Sequence, residues 1–295
     1  MNNWILLIIS VTACLIGGIV KKQYTNKYSD SPVARHFYNM VCSVVAALVL
    51  FAWGADLRVS AFTLVLAIAF GIVTALQQIF NLKAMETGPW SYTSVISSFS
   101  TLIPALSGMI FWNESISIVQ VFGVVLMLAS ILLSTKFKDG GAKKSMRWMI
   151  YCGITFLTTG FIGVMQKWHQ STEYKEELGG FLVIAFAVSF LYSAVNVVFE
   201  KAKGRERAEA KVASVSVIPV VIMLVAGICA AVNNKLNLRL SGELPSVVFF
   251  PVVNGGNLVL TTLLAVLLFK ERLTKKQWTG LVIGMISVLL LCNYS

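Results

Sequence analysis

Charge is scarce in this sequence, acidic charge most of all: 13 Asp and Glu stand against 24 Lys and Arg in 295 residues, 13% charged in total. A water-soluble domain is roughly a quarter charged and under half apolar. Here 57% of residues are hydrophobic and the mean hydropathy is +0.79. A soluble core cannot enclose that much apolar surface, so the bilayer is the solvent the composition implies. Long polar blocks are also lacking, which excludes a separate soluble domain. The five cysteines (Cys14, Cys42, Cys152, Cys229, Cys292) all lie in apolar runs and form no C-x-x-C pair. A disulfide framework and a cysteine metal site are therefore not expected; the thiols read as small hydrophobes in helices. Metal-ligand spacing, a nucleophile elbow and paired carboxylates within one span are all missing. No catalytic residue, metal or cofactor is expected, and the chain does not read as an enzyme.

What is present is a series of ten apolar segments, each long enough for a hydrocarbon core of ~30 Å. They cover 4–20, 32–51, 60–82, 90–112, 116–134, 148–166, 179–199, 212–232, 245–269 and 278–292. The first lacks the basic leader and small-residue cleavage site of a signal peptide. Of the 24 Lys and Arg, 19 fall in odd-numbered connections and five (Arg58, Lys167, Lys175, Lys235, Arg239) in even-numbered ones. The positive-inside rule then puts the odd connections in the cytoplasm and both termini outside. The basic balance is topology information beside lipid headgroups, and nucleic acid is not an expected partner.

The stretch "FKERLTKKQWTGLVIGMISVLLL" (269–291) repeats, in worn form, "WNESISIVQVFGVVLMLASILL" (112–133). With Glu114 set on Glu271, Gln120 meets Gln277, Gly123 meets Gly280, Val125 meets Val282, Ser130 meets Ser287, and Leu132 and Leu133 meet Leu289 and Leu290. Upstream the register slips by one, and "NLKAMETGP" (81–89) matches "NLRLSGELP" (237–245), with Asn81 on Asn237 and Pro89 on Pro245. "GGIVKK" matches "FIGVMQK" more weakly. The repeating unit holds five spans. Five is odd, so two tandem copies enter the membrane from opposite sides, which is the inverted repeat that serves alternating access. The expected units are 1–135 and 148–295, joined by a basic cytoplasmic linker at 136–147.

These residues carry a resemblance. Two five-helix halves, with "SVISSFSTLIPALSGMIFWNES" in the first and "VVNGGNLVLTTLLAVLLFKERLTKKQWTGLVIGMISVLL" in the second, resemble the drug/metabolite transporter superfamily, EamA type. The resemblance implies an all-α, ten-helix membrane transporter and a metabolite exporter. The chain departs from the pattern in places. The family's fourth-helix proline is Pro104, but Thr261 stands at the aligned place in the ninth span. The first span has no acid, unlike the small multidrug resistance proteins that the last two helices resemble. Family members are expected to have cytoplasmic termini, where the charge count gives the reverse.

Substrate sites of such transporters lie near the midplane among polar groups that would be costly facing lipid. All acids fall in loops or at span ends, so amides, hydroxyls and aromatics are what remains. The expected substrate-binding residues are His36 and Asn39 in the second span, Gln77 and Asn81 in the third, and Trp90, Tyr92, Ser94 and Ser98 in the fourth. Asn196 in the seventh and Asn254 and Asn257 in the ninth complete the set. Ser91, Ser94, Ser98 and Thr101 share one helical face, which serves either helix packing or a cavity floor. In "NGGN" two glycines are expected to loosen the helix between Asn254 and Asn257. His36 is the expected proton-sensing group, its ordinary titration lying near neutral pH, with the proton as coupling ion. Glu114 and Glu271 are expected to cap helices or pair with basic neighbours.

The expectation is a secondary transporter of a small polar metabolite, such as an amino acid or nucleobase. It would be a multi-pass protein of a bacterial inner or plasma membrane, monomer or homodimer, with membrane lipids around it. The alternative is a flippase or transporter of a lipid-linked or amphiphilic drug-like substrate. A central cavity between Asn81, Ser98 and Asn257 favours the former, and a groove open to lipid the latter.

Overall fold

The computed structural model describes residues 3–29, 31–88, 90–134, 146–203, 217–269 and 274–292. Among the described residues it is all-helical, without strands. The helices are α1 Asn3–Tyr28, α2 Pro32–Ala52, α3 Ala61–Thr87, α4 Trp90–Phe99, α5 Leu102–Phe111, α6 Ile118–Ser134, α7 Met146–Gln170, α8 Leu178–Ala202, α9 Val217–Glu243, α10 Ser246–Phe269 and α11 Lys275–Cys292. A short 3-10 turn, Glu173–Glu177, precedes α8. By length and composition, α1, α2, α3, α7, α8 with its leading turn, and α9 each suffice to cross a membrane, and shorter apolar helices accompany them. Most of the basic linker expected at 136–147 lies outside the described residues.

Local chemistry sets the helix starts. Ser31 precedes Pro32, which fixes the first helical φ, and the Ser31 hydroxyl accepts from the Ala34 N–H at 3.1 Å. Ser60 does the same for α3, accepting from the Thr63 N–H at 3.2 Å. Three boundaries differ from the sequence reading. First, α1 continues past residue 20 to Tyr28, because Lys21 and Lys22 are good helix formers and the Tyr24 hydroxyl donates to the Ala34 carbonyl at 2.9 Å. Second, α9 runs to Glu243, well beyond residue 232, carrying Asn233, Asn234 and Asn237 inside the helix. Third, the single span expected at 90–112 is two helices. Pro104 has no N–H for the Ser100 carbonyl, and the Ile103 N–H takes it instead at 3.1 Å. The turn tightens into i+3 bonds, Ser100 N–H to the Ser97 carbonyl (3.2 Å) and Thr101 N–H to the Ser98 carbonyl (3.4 Å).

The surface is the inverse of a soluble protein's. Large apolar side chains such as Leu48, Val65, Ile110, Phe111, Val198 and Leu289 face outward. Ser10, Ser43, Thr63, Thr155, Ser189 and Ser193 are buried. Hydroxyls and amides tie the helices together. Asn39 donates to Ser189 (3.1 Å) and Ser193 (2.7 Å), and Ser43 bonds Ser189 at 3.0 Å, which joins α2 to α8. The C-terminal end of α2 meets the start of α8, where Ala55 lies against Gly179, so the two helices run antiparallel. Likewise α1 and α9 are antiparallel: Ser10 bonds Asn233 and Asn237, while Gly17 faces Cys229.

Helix pairing follows a pattern. α2 packs on α8, α6 on α11 and α5 on α10; α1 packs on α9 as α3 does on α7. Matched residues of the duplicated stretch meet across the α6–α11 seam. Ser130 Oγ donates to the Gly280 carbonyl at 2.6 Å, and Ser287 Oγ donates to the Gly123 carbonyl at 2.6 Å. Each serine bonds the counterpart of the other's partner.

Close helix approach depends on Gly71, where a Cβ would stand 2.9 Å from Val188 Cβ and collide with the Ala185 carbonyl oxygen. Gly71→Leu is expected to push α3 off α8 and cost about 1–3 kcal/mol of stability. Gly153→Leu, where nothing lies within 4 Å, is the control and is expected to cost none. Thermal unfolding of the detergent-solubilised chain compares the two.

Candidate functional site

A cavity of about 420 Å³ lies in the middle of the bundle, between α1, α2, α3, α4, α5, α7, α8, α9 and α10. That size falls within the usual range for small-molecule sites. Two apolar clusters lie around it. One joins the start of α1 to α10, with Leu6, Leu7, Val248 and Phe249. The other joins the end of α1 to α2 and α9, with Tyr24, Tyr38, Cys42 and Met223.

Two rows of amides line the cavity. Gln77, Gln78 and Asn81 come from α3; Asn233, Asn234 and Asn237 come from α9. The spacing is the same in both rows, one residue and then three, so the first and last amide of each row lie one helical turn apart on one face. Serines and threonines from the α4–α5 break (Ser97, Ser98, Ser100 and Thr101) add hydroxyls beside Pro104. The break between α4 and α5 thus sits in the cavity wall. Phe186, Phe249, Phe250 and Tyr38 supply aromatic surface.

Lys21 is the cation among the described lining residues, and no Asp or Glu lines the cavity with it. Its ammonium donates to Gln78 Oε1 at 2.5 Å and Asn81 Oδ1 at 2.7 Å. Sequence reading put it in a loop because a lysine ended the apolar run. A signal was present: Ala13, Gly17 and Lys21 recur every four residues, so the small-residue face of α1 leads onto it. The α9 amides were missed as well; Asn237 is matched to Asn81 in the duplicated stretch but is not among the expected site residues. Extending that register back one turn pairs Gln77 with Asn233 and Gln78 with Asn234.

Of the expected site residues, Asn39, Gln77, Asn81, Ser98, Asn254 and Asn257 line this cavity. His36 and Asn196 are not among its lining residues. His36 is buried on α2, its ring 6.3 Å from that of Tyr192 on α8, and its Nδ1 has no hydrogen-bond partner among the described residues. Asn196 donates back to the Tyr192 carbonyl at 2.8 Å. The side chains of Trp90, Tyr92 and Ser94 lie outside the described residues, as does Glu271. The "NGGN" segment is continuous helix within α10, and Gly255 is where Met127 of α6 packs close.

Ion pairs hold opposite ends of the bundle. Lys167 bonds Glu114 Oε1 at 2.6 Å, while Glu114 Oε2 accepts from the Ser246 N–H at 2.7 Å and so caps α10. At the other end Arg35 pairs with Glu86 at 2.5 Å, and Ser29 donates to the same carboxylate at 2.6 Å. Among the described residues no group of three or more His, Cys, Asp or Glu could hold a metal ion.

Residues 2–136 match the EamA-like transporter family. No curated protein matches the chain in sequence. A solved structure described only as "Crystal structure of protein" shares the fold, with a TM-score of 0.73 at 12% identity, covering 98% of this chain and 96% of its own.

Both side chains of the Lys167–Glu114 pair are largely buried, so removing one partner strands a charge. Glu114→Gln and Lys167→Met are each expected to cost about 3 kcal/mol of stability. The double variant is expected to lose less than either single one, as read by unfolding of the solubilised chain.

Proposed function

We propose that the chain, whose residues 2–136 match the EamA-like transporter family of the drug/metabolite transporter superfamily, is a secondary transporter of a small polar metabolite, exporting it by alternating access. The observation that carries this reading is the cavity in which Asn81, Ser98 and Asn257 converge from three different helices. It has the size for a small solute and an interior of amides, hydroxyls and aromatic faces.

On this reading ten spans form two inverted five-helix repeats, 1–135 and 148–295, with the 136–147 linker in the cytoplasm and both termini outside. Reciprocal pairings support the two-fold relation: exchanging the halves maps the α1–α9 contact onto α3–α7, and the Ser130–Gly280 bond onto Ser287–Gly123. The amide rows of α3 and α9 map onto each other too. A site on such an axis faces each side in turn when one half rocks against the other. His36, one turn before Asn39 on α2, is the group we assign to proton sensing, with the proton as coupling ion. Aromatic and amide contacts suit amino acids, nucleobases and similar solutes.

The test compares culture media of cells expressing the wild type, Gln77→Leu or Asn257→Leu at matched membrane levels. The wild type is expected to release at least one small polar solute, and each variant to release it on the order of tenfold more slowly, since a polar contact with the solute is lost. Media identical to those of cells lacking the chain would overturn export.

A further inference from the structure

We propose that the cavity is an anion site: Lys21 binds a carboxylate or phosphate of the substrate, and the α9 amides opposite it receive the substrate's neutral polar part. This deepens the transporter reading and rests on it.

The argument starts from the asymmetry of an otherwise matched cavity. Gln77, Gln78 and Asn81 on α3 have counterparts of the same chemistry in Asn233, Asn234 and Asn237 on α9. Lys21 does not. In the match of "GGIVKK" to "FIGVMQK", Gln166 of α7 stands at its counterpart position and lines the cavity as a neutral amide. One side of the cavity is therefore cationic and the other neutral.

Lys21 does not act as an ion-pair partner within the protein. It lies inside α1, about 10 Å short of the helix end at Tyr28. Both of its side-chain bonds go to neutral carbonyl oxygens, Gln78 Oε1 and Asn81 Oδ1. Those bonds orient the ammonium and occupy two of its three donors, but they leave its charge unbalanced. Among the described residues no carboxylate lines the cavity, and Lys21 takes part in no ion pair. Two other cations within the bundle differ: Arg35 has Glu86 and Lys167 has Glu114. An ionisable group inside a membrane protein is costly to keep unless its charge is used. A bound anion supplies the missing negative charge, and the third N–H of Lys21 supplies a charge-assisted hydrogen bond to it. The same cation excludes lipophilic cations, which meet no acid in the cavity.

The test uses the full chain in detergent and three pairs of probes that differ in charge. These are succinate against succinamide, L-phenylalanine against L-phenylalaninamide, and glycerol 3-phosphate against glycerol. Binding is read by concentration-dependent thermal stabilisation. At least one acid is expected to bind about 10-fold or more tightly than its partner, and the pair that responds distinguishes carboxylate from phosphate. In Lys21→Gln the preference should fall below about twofold, while Lys21→Arg should retain it. Both variants are first checked for wild-type melting without probe, and Lys21→Arg reads the charge even where Lys21→Gln folds poorly. The proposal is overturned if no acid binds, if every acid that binds is matched by its partner lacking the carboxylate or phosphate, or if Lys21→Gln keeps the preference. Flux through proteoliposomes separates this from the transporter reading. Acid-selective binding without flux refutes transport and leaves the anion site standing. Flux of a neutral or cationic solute that Lys21→Gln does not alter refutes the anion site and leaves transport standing.

Discussion

A polar group carried into an apolar slab must find its partner inside the protein, because the surrounding hydrocarbon offers none. The helix arrangement follows from that constraint. Asn39 joins α2 to α8 through Ser189 and Ser193, and Ser10 joins α1 to α9 through Asn233 and Asn237. Glu114 joins the end of α5 to both α7 and the start of α10. Apolar contact alone would not choose among helix pairs, since lipid tails are as apolar as leucine. Small residues let the backbones approach closely enough for these bonds, as Gly71 does against Ala185.

The cavity gathers several groups for which this internal satisfaction is incomplete, among them the Thr74 and Thr159 hydroxyls, which line it without a hydrogen-bond partner among the described residues. Two amide rows bring donors and acceptors into its wall: Gln78 and Asn81 accept from Lys21, and Asn233, Asn234 and Asn237 bond Ser10, the Ala230 carbonyl and one another. The α4–α5 break adds hydroxyls and leaves Ser97 Oγ buried without a hydrogen-bond partner among the described residues. Pro104 lies beside that break and lines the same wall, so one residue connects backbone geometry to the cavity. The cost of assembling unused polar groups inside a membrane protein is justified when a solute completes them.

Much of the helical layout was legible in the sequence, because apolar run length is a strong signal when lipid is the solvent. The errors fell where a polar residue faces inward. Lys21 and Asn233 were taken as marking span ends, although the helices pass straight through them. Hydropathy along the chain cannot tell a side chain facing the interior from one facing headgroups. The loosening expected at Gly255 and Gly256 is absent, α10 being continuous helix there, whereas a break occurs at Ser100 and Thr101, beside Pro104. The duplicated register was more informative than composition. Gly123 and Gly280, matched by sequence alone, turn out to accept hydrogen bonds from each other's matched serine. For the site, residues on the α3 and α10 faces were legible from their spacing, while the α9 amides needed the duplication carried one turn further.

The central claim is that the two halves are inverted copies around a shared cavity. Gly54, after α2, and Lys203, after α8, follow counterpart helices, and the antiparallel packing of α2 on α8 sets them at opposite ends of the bundle. The most direct measurement is membrane-impermeant thiol labelling of Gly54→Cys and Lys203→Cys, each in a chain whose native cysteines are replaced by alanine. The account predicts that Gly54→Cys reacts only from outside the cell and Lys203→Cys only after the cytoplasmic side is exposed. Reaction of both from the same side would contradict it.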